Sequence, residues 1–243
     1  MKKDSNYLGY ERGNQPAGAR DFVAVIPTVG CVNEAVVKIA SKFEDSVSFL
    51  HHQGCCQLSP DVETVSRVIS GIGSNPNVNS VLLVSLGCES VDSDRVRKEI
   101  EFDKRVEFLR LQDIGGLTET VSRGTEIVEE LIANRDGERT ETPVSDLTVG
   151  IKCGASDATS GIASNPATGA AVDRLIEEGA TVIFGETTEI LGAEHILAQR
   201  AENENVKEKI FKIVEEMEKR VERFGVDMRG GQPTEGNIKG GLT

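Results

Sequence analysis

The chain has 243 residues, enough for one large domain or two smaller ones, and its 27 Lys plus Arg against 40 Asp plus Glu leave a net charge of −13. That balance argues against nucleic acid as a partner, because phosphate backbones hold proteins through basic surfaces. No stretch approaches about 18 consecutive apolar residues, so no membrane span is expected. The start, MKKDSNYLGYERG, lacks the apolar core of a secretory signal, which points to the cytoplasm. In that reducing compartment Cys31, Cys55, Cys56, Cys88 and Cys153 read as free thiols or ligands rather than disulfides.

FVAVIP (22–27) opens a series of short, β-branched apolar runs that read as strands. VSFLHH (47–52), VLLVSL (81–86), VEFLRL (106–111), LTVGIK (147–152) and TVIFGE (181–186) follow. Helical periodicity occupies stretches near 31–43, 60–72, 92–103, 116–134 and 166–179, and a charged helix near 202–224 follows the last strand. Apolar strands alternating with helices predict an α/β fold: a doubly wound, mostly parallel, Rossmann-like sheet covered on both faces. The polar stretch 135–146, with Gly and Pro, reads as a linker between a first α/β half (1–134) and a second (147–228), with a Gly-rich tail at 229–243. VLLVSLGCES (81–90) and LTVGIKCGASD (147–157) both run from a strand into a cysteine followed by an acidic residue, which suggests two related halves.

In an open parallel sheet, ligands bind outside the carboxyl ends of the strands. The chemically capable residues fall at those ends: Thr28 and Cys31, then His51, His52, Cys55 and Cys56, then Cys88 and Glu89, Gln112, then Cys153, Ser156 and Asp157, and finally Glu186 and Glu189. Together they predict one functional rim. Adjacent strand residues face opposite ways, so only one of His51 and His52 points into a given site, and a hydrogen-bonded structural role is open to either. Glu89, Asp157, Glu186 and Glu189, with nitrogen from His51 or His195, suit a hard or borderline divalent ion: Fe(II), Mn(II) or Mg(II). Such an ion would polarise a hydroxy-acid carboxylate and ease loss of the α-proton. At a helix start Glu186 and Glu189 would instead simply complement the helix dipole. Cys31, Cys55, Cys88 and Cys153 offer another possibility, an iron–sulfur cluster, whereas no CxxC pair supports a structural zinc. KCGASDATSGIASNP (152–166) supplies small residues and hydroxyls before a helix starting near Pro166, a cradle for a carboxylate or phosphate. It is neither a Walker A motif nor GxGxxG.

VIPTVGCVN (25–33), HHQGC (51–55), NPNV (75–78), LLVSLGCE (82–89), CGASDATSGIASNPATG (153–169), GETTEILGAEH (185–195) and GNIKGGLT (236–243) come in that order. Together they resemble the catalytic region of the altronate and galactarate dehydratase family, which includes the large subunit of sulfolactate sulfo-lyase. The resemblance runs from about Gly9 to Thr243. It implies a hydro-lyase that removes water from a sugar acid or related hydroxy acid with a divalent metal, typically Fe(II). The proton α to a carboxylate is taken, the β-group leaves, and the enol becomes a 2-keto acid. The general base is then His51 or His52, since imidazole titrates near neutrality, with Lys152 and His195 behind them.

On the same resemblance Arg20 grips a substrate carboxylate, and Thr28, Asn33, Ser156, Ser160 and Asn165 supply the other substrate contacts. The metal ligands are drawn from Cys55, Cys88, Glu89, Cys153, Asp157, Glu186, Glu189 and His195. The family's usual CGGSD is CGASD here, and of its early DGRVGVRN only Gly18 and Arg20 are kept. Relatives usually continue past GNIKGGLT, and many carry a small N-terminal β-rich domain. The expectation is therefore the large subunit of a split enzyme with a small partner subunit, a homo-oligomer, or both. Two alternatives stand beside it: a carbon–sulfur lyase like the sulfo-lyase, and a non-catalytic metal- or ligand-binding regulatory subunit.

Overall fold

Strands that are apolar at every position need cover on both faces, and FVAVIP and VLLVSL have it. The computed structural model describes residues 5–13, 15–102, 104–135, 137–231 and 233–242. Residues 1–4, part of the start that reads against a secretory signal, lie outside that set, as do position 136 of the expected linker and positions 232 and 243 of the tail. The chain divides into two compact units, Met1–Leu147 and Thr148–Thr243.

The first unit contains β1 (Asn6–Arg12), β2 (Gln15–Gly18), β3 (Phe22–Pro27), α1 (Asn33–Ala40), β4 (Ser46–Ser48), α2 (Ser59–Gly73) and β5 (Val78–Ser85). It continues with α3 (Ser93–Glu101), β6 (Arg105–Arg110), α4 (Leu111–Ile114), α5 (Leu117–Ala133) and β7 (Arg139–Pro143). A parallel sheet of order β4-β3-β5-β6 forms its centre, with Ala24 standing between Val47 and Val81. Side chains alternate between its faces. Val23, Val25, Leu82, Val84 and Leu109 pack against Val36 and Ile39 of α1 and Val128 and Leu131 of α5. Ala24, Ile26, Val81, Leu83 and Val106 pack against Ile69 of α2 and Val96 and Ile100 of α3. Helices on both faces make this the doubly wound arrangement that the strand pattern predicts. Asp92 caps α3 by accepting the Arg95 amide at 3.0 Å, satisfying one of the orphan donors of the first turn.

A second, antiparallel sheet of order β2-β1-β7 was not legible in the sequence. β7 lies inside 135–146, so the polar stretch read as a linker carries a strand, with Pro143 opposite Asn6 and Arg139 opposite Tyr10. A buried ion pair of 2.5 Å between Arg12 and Asp21 ties this sheet to the start of β3.

The second unit contains β8 (Thr148–Ile151), a π-helical turn at Ser160–Ser164, α6 (Asn165–Glu177), β9 (Thr181–Phe184), α7 (Glu194–Ala198), α8 (Glu204–Glu222) and α9 (Glu235–Lys239). β8 and β9 pair in parallel as a sheet of their own, with Val149 opposite Val182 and Ile151 opposite Phe184. The six strands expected to form one sheet are thus shared between two, so the expected rim residues follow the strands of two sheets. The tail is not featureless: Thr234 and Asn237 form a capping box at the start of α9. No helix among the described residues is long and apolar enough to cross a membrane.

Candidate active site

In the first unit the loops leaving β3, β4 and β5 interlock at the carboxyl end of the sheet. The Gly30 amide donates to the Gln53 carbonyl at 2.9 Å, and the Ser90 amide donates to the Gly54 carbonyl at 2.8 Å. Gly54, at φ +103°, lies so close to the Thr28 carbonyl that a Cβ there would collide with it. Gly87, at φ +123°, leaves only 2.5 Å between an added Cβ and the Gln112 side-chain oxygen. Both positions need glycine for conformation, and Gly54 needs it for space as well.

Glu89 joins two of these loops. Its Oε1 accepts the Thr28 hydroxyl at 2.7 Å and the Ser85 hydroxyl at 2.5 Å, while its Oε2 accepts the Gly87 amide at 2.7 Å. Burial, the largest single influence, opposes the charge, but the hydrogen bonds from Ser85, Thr28 and Gly87 together hold the carboxyl below its ordinary value. A depressed folded-state pKa stabilises the fold above the unfolded carboxyl value, and that stability is lost as pH falls through the folded value. Urea unfolding midpoints measured from neutral pH down through the ordinary glutamate value of 4.5 should therefore fall more steeply in the native chain than in Glu89→Gln.

The histidine pair resolves into two roles. His51 donates from Nε2 to the Pro27 carbonyl at 2.8 Å, and its Nδ1 accepts the Gln53 amide at 3.2 Å, so both ring nitrogens hold backbone. This tautomer is the one those partners require. His52 is exposed, and its Nε2 accepts from the Gln53 amide group at 2.7 Å. Asn33 donates to the His51 carbonyl at 2.7 Å. Thr28 is buried and turned to Glu89. Arg20 precedes β3 and donates its amide to the Asn77 side chain, so it stands at the opposite end of the sheet from the other first-unit candidates.

Cys31, Cys55, Cys56 and Cys88 are all exposed and free. The Cys55 Sγ lies 3.6 Å from that of Cys56. Its thiol is pushed up first by that contact, then by the charge of Cys56 and by desolvation, and then by the charges of Cys88 and Cys31.

The second unit holds the other half of the expected residues. A cavity of about 500 Å³ opens at the carboxyl ends of β8 and β9, and Lys152, Cys153, Ser156, Ser160, Asn165, Glu186 and Glu189 all line it. Lys152 Nζ pairs with Glu186 Oε2 at 2.8 Å, and the Glu186 interaction is the main cause of a raised Lys152 pKa. Glu186 adopts a left-handed backbone at φ +63°, although Gly185 stands next to it. A non-glycine residue in that region is strained, and such strain concentrates at functional sites. Cys153 Sγ lies 3.6 Å from Ser156 Oγ.

Asp157 is not among the lining residues. Its Oδ1 accepts the Thr159 amide at 2.8 Å and the Thr159 hydroxyl at 2.5 Å, capping the turn that leads to α6. His195 is exposed on α7 and is not among the residues that line this cavity. Asn237, which sequence reasoning missed, donates to the Ser156 carbonyl at 3.2 Å, and the Ala158 amide donates to the Gly240 carbonyl at 3.1 Å. The TxxN capping box was the available signal. Among the described residues no three His, Cys, Asp or Glu side chains converge to hold a metal ion.

Comparison with known proteins matches both units. The second domain of D-galactarate dehydratase/altronate hydrolase covers residues 9–136, and the C-terminal region of D-galactarate/altronate dehydratase covers 144–243. The chain is 34% identical to altronate dehydratase of Bacillus subtilis over 99% of its own length and 50% of that protein's. It is 33% identical to the (2R)-sulfolactate sulfo-lyase subunit beta of Chromohalobacter salexigens, over 99% and 62% of the two chains. With galactarate dehydratase (L-threo-forming) of Escherichia coli it shares 31% identity over 97% and 49%. The chain thus spans about half the length of most of the curated relatives it matches, and by both its domains it belongs to the D-galactarate/altronate dehydratase family.

Proposed function

We propose that the chain carries hydro-lyase chemistry on a sugar acid or related hydroxy acid, giving a 2-keto acid, with the second-unit cavity as the reaction site. The observation that carries this is the Lys152–Glu186 pair at the ends of two parallel strands, inside a cavity lined by serine hydroxyls and an asparagine. Lys152, kept charged by Glu186, pairs with the substrate carboxylate. When the α-proton leaves, negative charge grows on that carboxylate, so a cation placed there stabilises the transition state more than the ground state. Glu189 takes the proton and passes it to the β-hydroxyl as its C–O bond breaks, so that the group leaves as water and the enol becomes the 2-keto acid. Ser156, Ser160 and Asn165 bind the substrate hydroxyls, and Asn237 holds the Ser156 backbone in place. His51, with both nitrogens committed to backbone, keeps the first-unit rim in shape.

The single divalent ion implied by the family does not fit these residues. Glu89, Asp157 and Glu186 are each committed to hydrogen bonds or an ion pair, and among the described residues no three candidate ligands converge. No step above runs through such an ion.

The test is incubation with altronate, galactarate and sulfolactate, with and without added Fe(II) or Mn(II). A candidate small partner polypeptide is included because one relative is named a subunit. Formation of 2-keto acid from a sugar acid is expected. Sulfite release instead favours the carbon–sulfur lyase reading, and no product under any condition sinks both.

A further inference from the structure

Three Gly-Cys dipeptides end three neighbouring parallel strands: Gly30–Cys31 after β3, Gly54–Cys55 after β4 and Gly87–Cys88 after β5. Their loops are hydrogen-bonded to one another through Gly30 and Gln53 and through Gly54 and Ser90. We propose that Cys31, Cys55 and Cys88 are the protein ligands of a polynuclear iron–sulfur cluster seated on the first-unit rim.

Exposure comes first. A cysteine kept for packing behaves as a small apolar residue and is buried, yet all of these thiols face solvent. Backbone comes next. Each cysteine is set by a glycine in close contact with a neighbouring loop, and a Cβ on Gly30 would lie 3.0 Å from the His51 carbonyl. Gly30 and Gly54 thus bring the loops after β3 and β4 together without a side chain between them, while Gly87 packs against Arg110 and Gln112.

Spacing then selects the ligand. A single ion with metal–sulfur bonds of about 2.3 Å needs its sulfurs within roughly 4 Å of one another. Among the described residues only Cys55 and Cys56, 3.6 Å apart, meet that, and no set of three does. An inorganic iron–sulfide core holds its thiolates farther apart, which suits cysteines drawn from three strand ends. Arg110, paired with Asp113 at 3.5 Å, supplies a cation beside this rim, and its Cδ would lie 3.2 Å from a Cβ on Gly87.

The cluster does not rest on the hydro-lyase reading, whose site is the second-unit cavity. Cys153, in the second unit, is outside the ligand set, and Cys56 is its non-ligating neighbour.

The experiment is anaerobic reconstitution of the full chain with Fe(II) and sulfide, read by absorption spectrum, iron and acid-labile sulfide. About four of each per chain and a brown colour are expected. Cys31→Ser, Cys55→Ser and Cys88→Ser should each lose most of the sulfide, while Cys56→Ser and Cys153→Ser keep it. Alkylation of the unaltered chain, mapped by mass spectrometry, avoids any folding defect in the variants: reconstitution should shield Cys31, Cys55 and Cys88 and leave Cys153 reactive. Iron without sulfide, or undiminished alkylation of those three thiols, overturns the proposal. A chain that holds the cluster yet dehydrates no hydroxy acid overturns the hydro-lyase reading alone.

Discussion

Lys152→Ala should lower kcat/KM on a hydroxy acid by about 10²–10⁴-fold, the range for removing a group that stabilises charge in the transition state. The loss should lie mainly in kcat, because the cation matters most once the α-proton has left. Lys152→Arg keeps the charge on a longer, forked group and should restore part of the rate. Stability should scarcely change. Lys152 and Glu186 are 65% and 40% exposed, and an ion pair this exposed to water and salt adds little to stability. Steady-state kinetics beside a thermal melt separate these effects: a fall in Tm large enough to explain the lost activity would remove Lys152 from the chemistry. Glu186→Gln tests the other member. Without the carboxylate, the Lys152 pKa returns toward its ordinary value, so the basic limb of the pH–rate profile should move to lower pH.

Gly54→Ala should destabilise the first unit by about 2–4 kcal/mol, read as a lower urea midpoint with an unchanged m-value. At φ +103° an L side chain is strained, and a Cβ would also strike the Thr28 carbonyl and lie 2.9 Å from Val29 Cα. Those are backbone atoms of a buried segment, with no flexible end to give way. The rim must then open, and with it the Gly54–Ser90 hydrogen bond that ties two of the cysteine loops. The same substitution at Gly71 is the control. Gly71 lies in α2 with nothing within 4 Å of an added Cβ, so Gly71→Ala should stabilise by roughly 0.5–1 kcal/mol through helix propensity. Equal effects at the two positions would mean that Gly54 is not tightly packed.

The strands of the central sheet were legible because their signal is local: a run such as FVAVIP must be buried on both faces wherever it goes. The same holds for the helices, whose apolar spacing depends only on nearby residues. The β2-β1-β7 sheet escaped because β1 pairs with a strand more than a hundred residues away, and neither NYLGYER nor RTETP alternates strongly enough to announce it. Composition and motif order also placed the chain in its family, since the motifs sit at strand ends.

Three matters were left to the tertiary structure. Sequence spacing predicted that His51 and His52, read as strand residues, face opposite ways; both lie instead in the loop after β4, and only the Pro27 and Gln53 contacts show which of them is locked. Acidic residues at strand ends look alike in a sequence, yet Asp157 caps a turn, Glu89 bridges two loops and Glu186 pairs with a lysine. The division of the expected rim between two sheets was invisible too, because strand pairing is decided by which edges meet and not by any strand's own residues. The chain's own residues thus determined its strands, its helices and its family. Which side chains share a site depended on long-range pairing and hydrogen bonding, and only the fold supplies those.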